Sequence, residues 1–91
     1  MTITGFGPFM DVAENPSGWL AQRLSDHARV LPVTFRDVDA FLDEMVASPP
    51  DKLIMIGVAR GSDRPRLEQF GRNWVGGGAD AGGDVRGPNP I

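Results

Sequence analysis

Thr4-Gly5-Phe6-Gly7-Pro8-Phe9 is the stretch on which the fold turns. It follows Met1-Thr2-Ile3, a short apolar start that reads as the end of a β-strand. Gly5 and Gly7 let the backbone turn sharply and pass close to whatever lies there. Pro8 fixes φ and removes one N–H. Phe6 and Phe9 are large rings on a loop. They either plug the end of a core or wall a ligand pocket, and spacing alone leaves both open. Asn15-Pro16-Ser17 then starts a helix, with Asn15 as N-cap and Pro16 at the first helical position. The chain therefore opens as strand, aromatic Gly-rich loop, helix. In an open α/β sheet, loops at the carboxyl ends of strands are where ligands bind. Gly5-x-Gly7 has no third glycine at the dinucleotide offset and no Gly-Lys-Ser/Thr follows, which argues against a nucleotide.

The remaining elements fit that start. The spacing predicts a first helix over about Pro16–Asp26, with Trp19, Leu20 and Leu24 as its apolar stripe and Gln22, Arg23 and Asp26 facing out. His27 falls at its frayed end, where the helix dipole favours a surface histidine. Val30, Leu31 and Val33 read as a strand whose Pro32 marks an edge position. Thr34, with Asp37 three residues on, resembles a capping box. Phe35, Val38, Phe41, Leu42, Met45 and Val46 give the following helix its apolar face. Asp37, Asp39, Asp43 and Glu44 lie mostly on its solvated side, and Ser48-Pro49-Pro50 ends it. Leu53-Ile54-Met55-Ile56 is an unbroken apolar run, the pattern of a parallel strand covered on both faces.

That order predicts an α/β fold of three layers: a mostly parallel twisted sheet, flanking helices and right-handed crossovers. Arg66–Phe70 is expected to add a short further strand, completing a unit over residues 1–74. Seven of the 12 glycines fall after Phe70, so Val75–Ile91 is expected to be a poorly ordered tail.

Composition narrows the function. A chain of 91 residues is one small domain, and it buries only roughly 60–65% of its unfolded surface. The net charge is −3 with no basic block, which disfavours nucleic acid. No apolar run approaches the roughly 20 residues of a membrane helix, and the N-terminus lacks a signal-peptide layout. A soluble, cytoplasmic protein is the expectation. With no cysteine, the chain has no disulfide, thiolate metal site or cysteine nucleophile of its own. His27 is the single histidine, so neither a metal nor another cofactor is expected.

Thr4–Phe9, Asn15-Pro16-Ser17 and Val33-x-Phe35 occur here in one order. They are followed by Gly57-Val58-Ala59-x-Gly61-x-x-Arg64-x-x-Leu67-Glu68 and then Asn73. The set resembles the N-terminal portion of the pyroglutamyl peptidase I (pyrrolidone-carboxylate peptidase) family over about Thr4–Asn73. The resemblance implies a hydrolase of α/β fold, a thiol protease of the cytoplasm, usually tetrameric. Such an enzyme removes N-terminal pyroglutamate from peptides by a Cys-His-Glu triad. It matches Glu68 to the triad's carboxylate, Phe6 and Phe9 to the rings lining the lactam pocket, and Asn15 to an asparagine beside that pocket. A carboxylate in that role orients the histidine and supports its positive charge. Flat aromatic walls suit a flat uncharged ring. The residues alone also fit an ordinary exposed Glu68 beside Arg66.

The departures are as informative. The family's cysteine and histidine lie in the second half of a chain about twice as long and have no counterpart here. Its Ala-Arg-Ile-Pro-Asp-Asn stretch, whose arginine helps bind the oxyanion, is replaced by Gly77-Gly78-Ala79-Asp80. The isolated chain is therefore expected to be inactive. The alternatives are a decayed gene fragment or a non-catalytic α/β interaction module, self-associating through an exposed sheet edge.

Overall fold

The computed structural model describes Met1–Ile91 throughout. β1 (Thr2–Phe6) is followed by α1 (Pro16–Leu24), β2 (Arg29–Leu31), α2 (Phe35–Ala47) and β3 (Leu53–Met55). The strands form one parallel sheet in the order β2-β1-β3. Phe6 lies beside Leu31 on one side, and Thr2 and Thr4 lie beside Leu53 and Met55 on the other. The first crossover runs from β1 out to β2 and the second back from β2 past β1 to β3, so right-handed connections put α1 and α2 on opposite faces. The α/β parallel sheet expected from the sequence is thus present.

β1 reaches further than expected: Thr4-Gly5-Phe6 is strand, and the loop begins at Gly7. β2 stops just before Pro32 and forms one edge. Both helices start as their caps dictate. The Asn15 side chain accepts from Ser17 N, and Thr34 Oγ1 accepts from Asp37 N at 3.0 Å. α1 ends at Leu24 rather than Asp26, where Ser25 N donates to the Ala21 carbonyl.

Three expectations need correction. α1 buries Ser17, Gly18 and Ala21, not its large residues; Trp19, Leu20 and Leu24 are exposed. The helix lies so close to β1 that only small side chains fit between them. β3 is not covered on both faces: Leu53, Ile54 and Met55 are all exposed, and β3 forms the second edge of the sheet. Arg66–Phe70 forms no strand, and Leu67 and Phe70 are 92% and 85% exposed. A strand needs a neighbour to accept its ladder, and none reaches that segment.

The tail carries backbone pairing of its own. Val75 and Asn89 exchange backbone hydrogen bonds of 2.8 and 3.0 Å, and Ala79 pairs with Val85 in a second antiparallel bridge. Every buried residue of the protein (Ile3, Thr4, Gly5, Ser17, Gly18, Ala21, Leu31 and Phe41) precedes α2's last turns, and none follows.

Candidate functional site

The site is built where β1 runs under the start of α1. A Cβ at Gly5 would stand 2.2 Å from the Ser17 carbonyl oxygen, and one at Gly18 would stand 2.6 Å from the Phe6 carbonyl oxygen. Strand and helix backbones therefore touch, and both glycines are required by space. Phe6 N donates to Ser17 Oγ at 2.9 Å. Asn15 ties the loop from both ends of its amide. Its Nδ2 donates to the Gly7 carbonyl at 2.9 Å, and its Oδ1 accepts from Ser17 N and Ser17 Oγ at 3.0 and 2.7 Å. Gly7 N donates to the Leu31 carbonyl at 2.9 Å, fastening the loop to the end of β2.

An open groove of about 570 Å³ runs along this seam, walled by Phe6, Gly7, Pro8, Asn15, Trp19 and Gln22 among others. It sits at the carboxyl end of β1, where open α/β sheets bind ligands. The Trp19 ring is 62% exposed, with the Arg23 guanidinium 5.1 Å from its centroid. Phe9 is not one of the walls. It pairs with Val12 in a tight turn through hydrogen bonds of 3.0 and 2.8 Å, with Met10 in the left-handed region at φ 51°. Of the residues expected at a site, the structure thus brings Phe6 and Asn15 together and holds Phe9 in the adjoining turn. Glu68 lies apart on the extended segment after β3, exposed and paired with Arg66 at 3.3 Å.

Two further segments frame this end of the sheet. Arg60, after β3, pairs with both carboxylate oxygens of Asp11, after β1, at 2.7 and 2.9 Å. From the β2 side, the tail is clasped to the start of α2. Asp80 Oδ2 accepts from Phe35 N, and Oδ1 accepts from Gly82 N and Asp84 N, each at 2.9 Å. Ala81 N donates to the Val33 carbonyl at 2.8 Å. Arg86 pairs with Asp39 and lies over the Phe35 ring. The Phe35 N–H above all, then those of Asp84 and Gly82 and the charge of Arg86, hold the Asp80 carboxyl below its ordinary value against a desolvation penalty. No three His, Asp or Glu side chains converge in a way that would hold a metal ion.

No protein-family model matches the chain. A pyrrolidone-carboxylate peptidase of Thermococcus onnurineus is 37% identical over 79 residues, 78% of this chain and 40% of that protein. The crystal structure of a pyrrolidone carboxyl peptidase from Thermus thermophilus superposes with a TM-score of 0.68 at 27% identity, over 98% of this chain and 50% of that one. The chain matches an N-terminal portion of the pyrrolidone-carboxylate peptidase family.

The chain spans half or less of the length of these pyrrolidone-carboxylate peptidases. No helix in it is long and apolar enough to cross a membrane. Two residues of the site escaped the sequence reading. Trp19 reads as core because its spacing suits an apolar stripe; the signal against that was the Ser17-Gly18 pair, which marks the buried face instead. Asp80 sits among glycines 45 positions beyond its partner Phe35, and no local pattern announces such a contact.

Proposed function

We propose that this chain supplies the substrate-holding half of a pyroglutamyl-peptide cleavage site. The observation that carries the reading is the Asn15–Ser17 clamp. It uses both polar ends of the Asn15 side chain to fix the aromatic loop, leaving the Phe6 ring on one wall of an open groove. A pyroglutamyl ring is flat and uncharged, and aromatic walls hold such a ring without charge partners. In this reading Phe6, with Phe9 from the adjoining turn, contacts the lactam. Asn15 is a positioning residue, since its Oδ1 accepts two hydrogen bonds and its Nδ2 donates one, all to the loop and the helix start.

Glu68 is the proposed orienting carboxylate, assigned from the match of the Gly57–Glu68 motif; in that role it would steady a histidine brought by another stretch of polypeptide. Such a histidine would take the proton of a cysteine thiol as the thiolate attacks the scissile carbonyl, and would return it to the leaving amine. This chain has no cysteine, so its share of the reaction is binding and orientation. The names of the two relatives and the order of the shared motifs support the substrate class. As in the sequence reading, a cytoplasmic setting is proposed.

The test is titration of the purified chain with 2-pyrrolidone and with a pyroglutamyl dipeptide amide, followed by Trp19 fluorescence and amide NMR. Shifts confined to Phe6, Gly7, Asn15 and Trp19, weakened at least tenfold by Phe6→Ala, are expected. Release of coumarin from a pyroglutamyl-coumarin amide by the chain alone is expected to be zero. Shifts that ignore Phe6→Ala, or no shift with either ligand, would overturn the assignment.

A further inference from the structure

We propose that Ser17 is a positioning residue whose hydroxyl draws the Phe6 N–H out of the β1–β3 ladder, holding the end of β1 against α1 and keeping β1 and β3 apart at their carboxyl ends. Its consequence for ligand binding rests on the lactam reading above; the choice of hydrogen bond does not. The ladder itself shows the diversion. Thr2 N donates to the Lys52 carbonyl and Ile56 N donates to the Thr4 carbonyl, with Thr2, Ile3 and Thr4 in register with Leu53, Ile54 and Met55. Thr2, Thr4 and Phe6 therefore turn their backbone polar groups toward β3, and the next rung in the series is Phe6 N to the Ile56 carbonyl. Phe6 N donates instead to Ser17 Oγ, at 2.9 Å. On its other side β1 stays paired to the end, with Phe6 in register with Leu31 and Gly7 N on the Leu31 carbonyl. The strand has not run out at Phe6; one N–H has been taken elsewhere.

Asn15 is what lets Ser17 take it. Asn15 Nδ2 donates to the Gly7 carbonyl at 2.9 Å, which leaves Oδ1 as the end of the amide that meets Ser17. That oxygen only accepts, so the serine hydroxyl directs its proton there, at 2.7 Å, and keeps a lone pair for Phe6 N. The bonds run in one direction, from the Phe6 N–H through Ser17 and Asn15 to the Gly7 carbonyl. Ser17 is buried, so the choice of acceptor is made away from water, where a donor left without one is costly. The close approach of α1 to β1 brings the short serine side chain within reach.

The position of the missing rung gives the diversion its meaning. In the order β2-β1-β3 the chain leaves β1 for β2 on one side and returns to β3 on the other. β1 and β3 therefore border the point where the winding reverses, and open α/β sheets bind ligands in the crevice outside the carboxyl ends of strands at such a point. A Phe6–Ile56 rung would bridge that crevice and draw Phe6 away from Asn15 and α1.

The experiment is NMR on the full chain and on Ser17→Ala, reading couplings across hydrogen bonds from amide nitrogen to carbonyl carbon, followed by titration of each with 2-pyrrolidone. The substitution keeps the backbone N–H of position 17 on Asn15 Oδ1, so the helix cap is retained. In the wild type, the Thr2–Lys52 and Ile56–Thr4 couplings are expected, and a Phe6 N–H protected from exchange without any coupling to the Ile56 carbonyl. In Ser17→Ala that coupling should appear and the affinity for 2-pyrrolidone should fall roughly tenfold, as displaced binding groups lose their geometry. Should Ser17→Ala unfold, the Ser17 hydroxyl of the wild type decides. A slowly exchanging proton close to the Phe6 N–H is expected, and one exchanging as fast as a surface serine overturns the proposal. A Phe6–Ile56 coupling in the wild type overturns it too, as does a folded Ser17→Ala that lacks this coupling or keeps its affinity. A wild type that does not bind 2-pyrrolidone refutes the lactam reading alone, and the couplings then decide the role of Ser17.

Discussion

The two sides of β1 are built on opposite plans. Toward β2 and α1, backbones touch, small residues fill the gap, and Asn15, Ser17 and Leu31 take up the polar groups of the loop. Toward β3, three large apolar residues stand exposed, and the chain beyond them runs without a strand or helix. The first side has a settled structure of its own; the second presents surface. The open groove lies on the settled side, which would preorganise it for the ligand proposed above.

The largest test of that contrast compares two glycines. Gly5→Ala drives a methyl into the Ser17 carbonyl, a backbone atom that cannot move aside. A cost of about 3 kcal/mol or more is expected, at the upper end for overpacking, enough to unfold so small a core. Gly57→Ala, just past β3, meets nothing within 4 Å. It should leave the urea midpoint unchanged to within about 0.5 kcal/mol, as a surface change does. Equal losses at the two positions would erase the distinction between the sides.

A pair of phenylalanines sharpens it. Phe41 is 1% exposed and Phe70 is 85% exposed. Phe41→Ala should cost about 3 kcal/mol by lost transfer and cavity, and Phe70→Ala less than about 0.5 kcal/mol, both read from urea denaturation.

The same contrast explains how much was legible in the sequence. β1, both caps and the Pro16 helix start follow from local chemistry, and each formed. Asn15 was legible as a helix cap because capping is a local signal, whereas Phe6, read as a loop aromatic, is the last residue of β1. What could not be read depended on distant partners. Leu53–Ile56 has the composition of a doubly covered strand, but composition says nothing about which strand will cover it. Arg66–Phe70 has strand-like residues and no ladder to join. The glycines of the tail argued for disorder, while one carboxylate, Asp80, fastens it to a helix start far back in the chain. Trp19 was misplaced because period alone does not tell which face of a helix meets a backbone too close for an indole.

Asp80 gives a smaller, local prediction with a definite sign. Hydrogen bonds to its carboxylate lower its folded value below the ordinary 3.8. Its contribution is therefore fully present above the unfolded value and is lost as pH falls through the folded one. Exchange protection of Phe35 N, taken up by the clasp, should hold from neutral pH down to about 4 and fall below that. Asp80→Asn should weaken this protection already at neutral pH and remove its acid dependence, with the α1–β1 amides unaffected. Protection that is indifferent to the substitution would mean the tail is held by Arg86 and the Val75–Asn89 bridge instead.

The smallest effect is expected at the ion pair joining the loop after β1 to the loop after β3. Arg60 and Asp11 meet at 2.7 Å, with their side chains 55% and 72% exposed. Two long side chains in water lose entropy to hold that geometry, and salt screens what they gain. Arg60→Ala should therefore cost less than about 1 kcal/mol of stability, shrinking further in molar salt. Its more telling consequence is positional. Without the pair, nothing else described here ties the loop after β3 to the loop after β1. Exchange in residues 57–64 should then quicken while Phe9–Val12 keeps its turn through its own two hydrogen bonds. Faster exchange in both loops would show that the open side supports the aromatic loop, and that the settled side is not self-sufficient after all.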